Sequence, residues 1–339
     1  MIISRRCSTM RINQLWAELA KVSSFTSGLM MRRYSSTVLP DVYVGLRAPE
    51  KHRCLVIKLS HAYTPDTKPF NNLKDISFEI VPDEQSQGKN MLLILLLNNE
   101  HRDVFSTLCE DLIQEIRNVG EERALVRKLT NRYEKWKALF DKAKSTGLNA
   151  EQQQGLYGEL FFLRKWISYA PDRQKCIRAW LGPEKAVRDF QDGSWAVEVK
   201  TTRGNNHQLI TINSERQLDT TGLDQLYLFH LSLDVRQSSG ESLNDMVESV
   251  AAALRDDVIA YHLFQVKLLE AGYFAVHQPL YSSTGYHIRE DNIYHIRDEF
   301  PRIEEHDIRK GVGGVKYTIS ISDHTSYIAD ENLVIQHLN

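Results

Sequence analysis

The 339-residue chain is short of the features that identify a protein quickly. Its four cysteines, Cys7, Cys54, Cys109 and Cys176, make no CxxC pair and keep no regular spacing, which excludes a disulfide framework and a zinc ribbon. Free thiols of this kind suit a reducing compartment, and the expected location is the cytoplasm. No apolar run is long enough to cross a membrane; the longest, MLLILLL at 91–97, has the length of a buried strand. Neither sign of charge is in excess. The 42 Lys and Arg against 44 Asp and Glu exclude a generally basic nucleic-acid coat, though not a local basic groove. The C-terminal histidines form no HExxH or other zinc spacing, and no Gly-x-Ser-x-Gly elbow occurs. The GVGG at 311–314 has no following Lys-Ser/Thr pair, so it reads as a turn and not as a phosphate cradle. Internal repeats and low-complexity segments are missing as well.

What is there is an ordinary globular composition, 42% hydrophobic and 25% charged, on a chain long enough for two or three domains. The opening MIISRRCSTM is basic, lacks acids and has no apolar core for secretion. It reads either as a transit peptide or as a stretch added by an upstream start codon, because the first helical pattern (Ile12, Leu15, Trp16, Leu19) opens at Met10. A polar stretch with Met30, Met31, Arg32 and Arg33 follows. Strands are then expected at 42–46, 54–59, 76–81 and 91–97, and helical periods at 104–119 and 121–144. These divide the first part into a helix plus β-rich domain at 1–100 and connecting helices at 101–148.

Gly147 ends that run, and Asn149 with Gln152 three residues on resembles a capping box opening a new helix. Its apolar stripe is Leu156, Leu160, Leu163 and Ile167, with Glu159 inside the stripe, where a carboxylate is costly without a partner. Gly155 and Gly158 on the same side each cost about 1 kcal/mol of helix propensity, which suggests close approach to a neighbouring element. Beyond lie strands at 207–212 and 225–233, with a short helix at 214–218 capped by Ser214. This order gives an α/β core at 149–235 with helices against a mixed central sheet. The remainder, 236–339, reads as an α+β lobe, with helices at 243–254 and 258–269 and strands at 286–296 and 316–321.

The chemistry concentrates in AVRDFQDGSWAVEVKTT at 186–202. Asp-Gly is a strong hairpin signal, and a turn centred on Asp192-Gly193 pairs Phe190 with Trp195 and Asp189 with Ala196. Side chains alternate along a strand, so Glu198 and Lys200 share one face and Asp189 joins them from the partner strand, diagonal to Glu198. Glu-x-Lys alone is common as a surface ion pair. With an in-phase Asp, the two carboxylates Asp189 and Glu198 suit one hard cation such as Mg²⁺. Lys200 is then placed to steer a water or to neutralise charge developing on a phosphate, and Glu159 adds a further acid.

Glu159, Asp189 and Glu198-Val199-Lys200 in this order resemble the PD-(D/E)XK, or restriction-endonuclease-like, nuclease superfamily. The wider pattern is similar to one bacterial family within it, of unknown function: GLYGELFFL, the RDF…VEVKTT hairpin, the strand before SERQL, and FPRI…GVGGVKYTI. The likeness extends over most of the chain. It implies a restriction-endonuclease-like core, a central mixed sheet flanked by helices, between a β-rich N-terminal domain and a C-terminal α+β lobe. It also implies that Asp189 and Glu198 are ligands of Mg²⁺ or Mn²⁺, Lys200 the catalytic lysine and Glu159 the helix acid. Arg188 stands where the family pattern has proline. The activity implied is endonucleolytic hydrolysis of DNA in a bacterial restriction or phage-defence system. Implied partners are DNA and an operon-encoded helicase, MORC- or MutL-like ATPase or DNA methyltransferase. Arg188, Arg203, His207 and Arg216 are candidates for backbone phosphate contacts. The rival expectations are a non-catalytic nuclease-fold module that binds DNA or a partner subunit, and a nuclease directed at RNA.

Overall fold

The chain folds into two compact units, Met1–Ser145 and Thr146–Asn339, each with its own buried apolar residues. The computed structural model describes residues 12–22, 24–62, 75–143, 146–204 and 208–339. Among the described residues, no helix is long and apolar enough to cross a membrane.

In the first unit, helix α1 (Ile12–Ala20) buries Ile12, Leu15, Trp16 and Leu19 on one face, following the sequence period. Five strands follow: β1 (Leu29–Arg33), β2 (Val42–Arg47), β3 (His52–Ser60), β4 (Ile76–Pro82) and β5 (Lys89–Leu96). They form an antiparallel sheet in the order β1-β2-β3-β5-β4. β5 lies between β3 and β4 and is covered on both faces, which is why its sequence is apolar throughout instead of alternating. β1 falls on the Met30–Arg33 stretch that read as merely polar. As an edge strand it is held by its ladder to β2 and needs no apolar alternation. Helices α2 (Arg102–Ile116) and α3 (Glu122–Ala143) belong to the same unit. Asp111 of α2 accepts hydrogen bonds from Arg132 and from the Trp136 indole of α3, and Tyr133 packs edge-on against Phe78 of β4.

The second unit opens with α4 (Ala150–Tyr169), whose N-terminus carries the expected box: the Asn149 side chain accepts from Gln152 N–H while Gln152 accepts from Asn149 N–H. It continues through α5 (Arg173–Ala179), β6 (Phe190–Asp192), β7 (Trp195–Arg203), β8 (Leu209–Ile212), β9 (Gln225–Gln237), β10 (Glu241–Ser242), α6 (Leu243–Ala253), α7 (Val258–Ala271), α8 (Gln278–Tyr281), β11 (Thr284–His295), β12 (Tyr317–Ser320) and α9 (Glu331–Leu338). The main sheet has the order β10-β11-β9-β7-β6 and is mixed, with β7 and β9 parallel and the other pairs antiparallel. β11 pairs with β9 from Thr284 to His295, so segments far apart in the chain share one sheet. β8 and β12 form a separate antiparallel pair.

The main sheet is packed on both faces. Val197, Val199, Phe229 and Leu231 meet Leu160, Phe162 and Trp166 of α4 together with α6 and α7. Ala196, Leu226 and Leu228 meet Ile210, Ile212 and Ile319 of the β8–β12 pair. Gly158 explains how closely α4 sits on β7: a Cβ there would lie 2.2 Å from Thr201 Cγ2. Gly155, one turn earlier, faces open space beside the cleft described next, so the expectation of close approach holds for Gly158 alone.

Candidate active site

The hairpin β6–β7 carries the site, and its register differs from the sequence expectation. Asp192 pairs with Trp195 and Phe190 with Val197, so the two loop residues are Gly193 and Ser194. Gly193 sits at φ +57°, the left-handed conformation that glycine adopts without strain. The shift amounts to two residues along β7. A one-residue slip would turn every side chain to the other face; a two-residue shift preserves the faces. Asp189, the residue before β6, therefore stays in phase with Glu198, and continuing the ladder by one step sets the two opposite each other instead of diagonal.

Four side chains meet here. Glu198 is 1% exposed, and its Oε1 lies 2.7 Å from Lys200 Nζ, whose side chain is 13% exposed. The Asp189 carboxylate accepts from Val199 N–H at 2.7 Å. Glu159 arrives from α4 and accepts from the buried Trp180 indole at 2.6 Å. A Cβ added at Gly182 would fall 2.3 Å from the Glu159 carboxylate and 3.2 Å from Asp189 Oδ1, so the missing side chain leaves the space the two acids occupy. Together with Gln217, Lys316 and Arg203, these residues line an open cleft of about 580 Å³.

The electrostatics are those of crowded acids. Burial, then the charge of Asp189, pushes Glu198 up to about 8, against the opposing pull of Lys200. Burial first, with Asp189 and Glu198 adding to it, also raises Glu159 well above the usual carboxylate range; the Trp180 N–H opposes that rise. Asp189 is raised by burial against Lys200 and the Val199 N–H. Burial alone would lower Lys200, but Glu198, Asp189 and Glu159 outweigh it and hold the ammonium above its ordinary value.

One atom tests whether a cation fits. Glu198 Oε2 is buried without a hydrogen-bond partner. An orphaned carboxylate oxygen beside two further acids is a site short of positive charge, and Asp189 and Glu198 are the hard oxygen donors a Mg²⁺-type ion prefers. Among the described residues, no three His, Cys, Asp or Glu side chains are gathered closely enough to enclose an ion by themselves. The fit is that of an open site using one or two carboxylates, with the remaining positions left to water or phosphate oxygens.

Of the proposed phosphate contacts, Arg203 is exposed at the end of β7 and lines the cleft. Arg216 is exposed and paired with Glu305 at 3.3 Å. Arg188 turns inward instead: its guanidinium donates to the carbonyls of Gln217 and Asp219. In the position where the family pattern has proline, it ties the start of the hairpin to the 214–219 turn. His207 lies outside the described residues.

Sequence reasoning missed Trp180, Gln217 and Lys267. Gln217 Oε1 accepts both from Lys200 Nζ at 3.2 Å and from Asn213 N–H at 2.8 Å, giving the lysine a second fixed partner. Lys267 of α7, itself buried, donates to the Trp180 carbonyl and to Glu184, fixing the segment that carries the indole. No local signal marks these residues, because each acts across a long sequence separation.

A family model described as "Putative PD-(D/E)XK family member" matches residues 12–322, spanning described parts of both units. No curated protein matches the chain, and no solved structure does.

Proposed function

The chain belongs to this PD-(D/E)XK family, and from that premise we propose that it is a Mg²⁺- or Mn²⁺-dependent endonuclease hydrolysing DNA phosphodiester bonds on a restriction-endonuclease-like core. The observation that carries the reading is the orphaned, buried Glu198 Oε2 beside Asp189 and Glu159, with Lys200 on the other oxygen and a cleft open to a polymer. A buried surplus of acid destabilises the fold unless something positive joins it, so the arrangement is better explained by a ligand than by stability.

In this reading Asp189 and Glu198 would hold the ion, and the chemistry it would supply is Lewis acidity. The Asp189 carboxylate is oriented by the Val199 N–H. Lys200 is held between Glu198 and Gln217, and its ammonium stays charged through the neutral range. It steers the water or neutralises the charge that develops on the phosphate as the P–O bond breaks. Glu159, raised by burial and by its acidic neighbours and oriented by the Trp180 N–H, assists as a further acid at the site. The family resemblance extends the proposal to a bacterial restriction or phage-defence system, with an operon-encoded helicase, MORC- or MutL-like ATPase or methyltransferase as partner.

The test is single-turnover cleavage of plasmid DNA, with an RNA arm, in Mg²⁺ or Mn²⁺. Wild type cleaves DNA, and Lys200→Ala is slower by about 10²–10³-fold, the usual cost of losing one preorganised transition-state charge. Equal cleavage by Lys200→Ala removes the site assignment. Cleavage confined to RNA changes the substrate, and no cleavage of either leaves a binding module.

A further inference from the structure

The GVGG segment has no role in the site as described so far. From Ile308 to Lys316 the chain carries Arg309, Lys310 and Lys316 and no acid. All three cations are exposed. The three acids just before them have partners elsewhere: Glu304 with Arg302 at 3.0 Å and with Thr220, Glu305 with Arg216, and Asp307 with the Glu304 N–H at 2.9 Å and the His306 ring at 3.5 Å. Val312, at the tip, is 60% exposed, so the loop is not built to fill a core. Gly311 at φ +92° and Gly314 at +69° have nothing within 4 Å of an added Cβ, so they serve the backbone's path and not packing.

The base of the loop is fixed. Glu215, buried to 4% exposure, accepts from Val315 N–H at 2.8 Å and Gly314 N–H at 3.3 Å. The same short turn supplies Gln217, which holds Lys200. Immediately after the anchor, Lys316 enters the lining of the cleft that contains Asp189 and Glu198, and Arg203 lines it too.

We propose that loop 308–316 is the arm that grips duplex DNA beside the scissile phosphate, with Arg309, Lys310 and Lys316 each on a backbone phosphate. The inference rests on the nuclease reading and names the element that holds its substrate. Compact cations on a glycine-bent backbone bind phosphates with little sequence preference, and they contribute directly to the salt dependence of binding.

The experiment uses the full chain and a fluorescent DNA duplex, with Ca²⁺ replacing Mg²⁺ to hold back cleavage. Dissociation constants are measured across a salt series for wild type and for Arg309→Ala/Lys310→Ala/Lys316→Ala. Losing three phosphate contacts lowers the slope of log K against log salt by about 2–3 and weakens binding at low salt by at least tenfold or so. The variant's melting temperature stays at the wild-type value, since the three side chains are exposed. A wild type that binds steeply and a triple variant with the same slope overturn the arm and leave the nuclease reading standing. A wild type with neither binding nor cleavage overturns both.

Discussion

Replacing Glu198 with Gln separates a catalytic acid from a structural one, because it moves stability and activity in opposite directions. The substitution keeps the side chain's shape, and its carbonyl oxygen can still accept from Lys200. What it removes is the carboxyl that burial and Asp189 push from an ordinary value of 4.5 up to about 8. In the unfolded chain that group is ionised above 4.5, whereas in the fold it keeps its proton until about 8. The unfolded state therefore binds fewer protons across this window, and metal-free stability falls as pH rises through it. At about 1.4 kcal/mol per pH unit the full effect approaches roughly 5 kcal/mol. Taken with the higher effective dielectric that suits real protein sites, the effect is on the order of 2 kcal/mol. For a unit of this size that is roughly 4–8 °C in melting temperature. Glu198→Gln should then melt higher than wild type at pH 8 without metal, and close to it at pH 4, below the ordinary value of the carboxyl. It should also lose the upward shift that millimolar Mg²⁺ or Mn²⁺ gives the wild type, and cleave at least about 10²-fold more slowly. Thermal melts at the two pH values, with and without metal, check the first three outcomes and plasmid cleavage the fourth. A variant that melts lower than wild type at pH 8, keeps the metal shift and still cleaves would refute the reasoning.

Trp180→Phe retains most of the ring that packs near Phe264 but deletes the N–H that Glu159 accepts, so the Glu159 carboxyl rises further. The acid limb of the cleavage pH–rate profile should move to higher pH, and an unmoved limb takes Glu159 out of the chemistry. Gly158→Ala places a Cβ 2.2 Å from Thr201 Cγ2, and overpacking of that kind costs about 1–3 kcal/mol. Adding Thr201→Ser deletes the clashing methyl while retaining the hydroxyl that accepts from Gln154, and should restore most of the loss in a double-mutant cycle read by denaturant unfolding. Additive losses would mean that α4 does not rest on β7 at this point.

The comparison of sequence with structure turns on which signals are local. The helix at Asn149, its apolar stripe and the strands at 42–46 and 91–97 are set by caps and by side-chain period, and they stand close to where the pattern put them. The hairpin was misregistered because Asp-Gly fixes the existence of a turn better than its centre. Because the shift was an even number of residues, Asp189 stayed on the face of Glu198. β1 was missed because an edge strand is held by backbone pairing and carries no alternation. The lower part of the site was illegible for a different reason. Trp180, Gln217 and Lys267 act through hydrogen bonds to residues far away in the chain, and such contacts leave no periodic trace. Arg188 misled in the same way, since an arginine reads as a surface cation until its carbonyl partners are known.

Separate requirements converge on the turn at Glu215–Gln217. The Gln217 side chain fixes Lys200, and its backbone carbonyl takes the Arg188 guanidinium next to Asp189. Two residues earlier, Glu215 clamps the 308–316 loop, and the Val315 and Gly314 N–H groups hold its carboxyl below the usual range. A helix of this length has no stability of its own, so its geometry is set by these partners together with the Ser214 cap. A phosphate drawn toward Lys316 would thus pull on the same turn that aims Lys200. The loop carrying Lys316 and the orientation of Lys200 are linked through this one turn, so under the proposed function a phosphate held by the loop would also bear on the aim of the lysine.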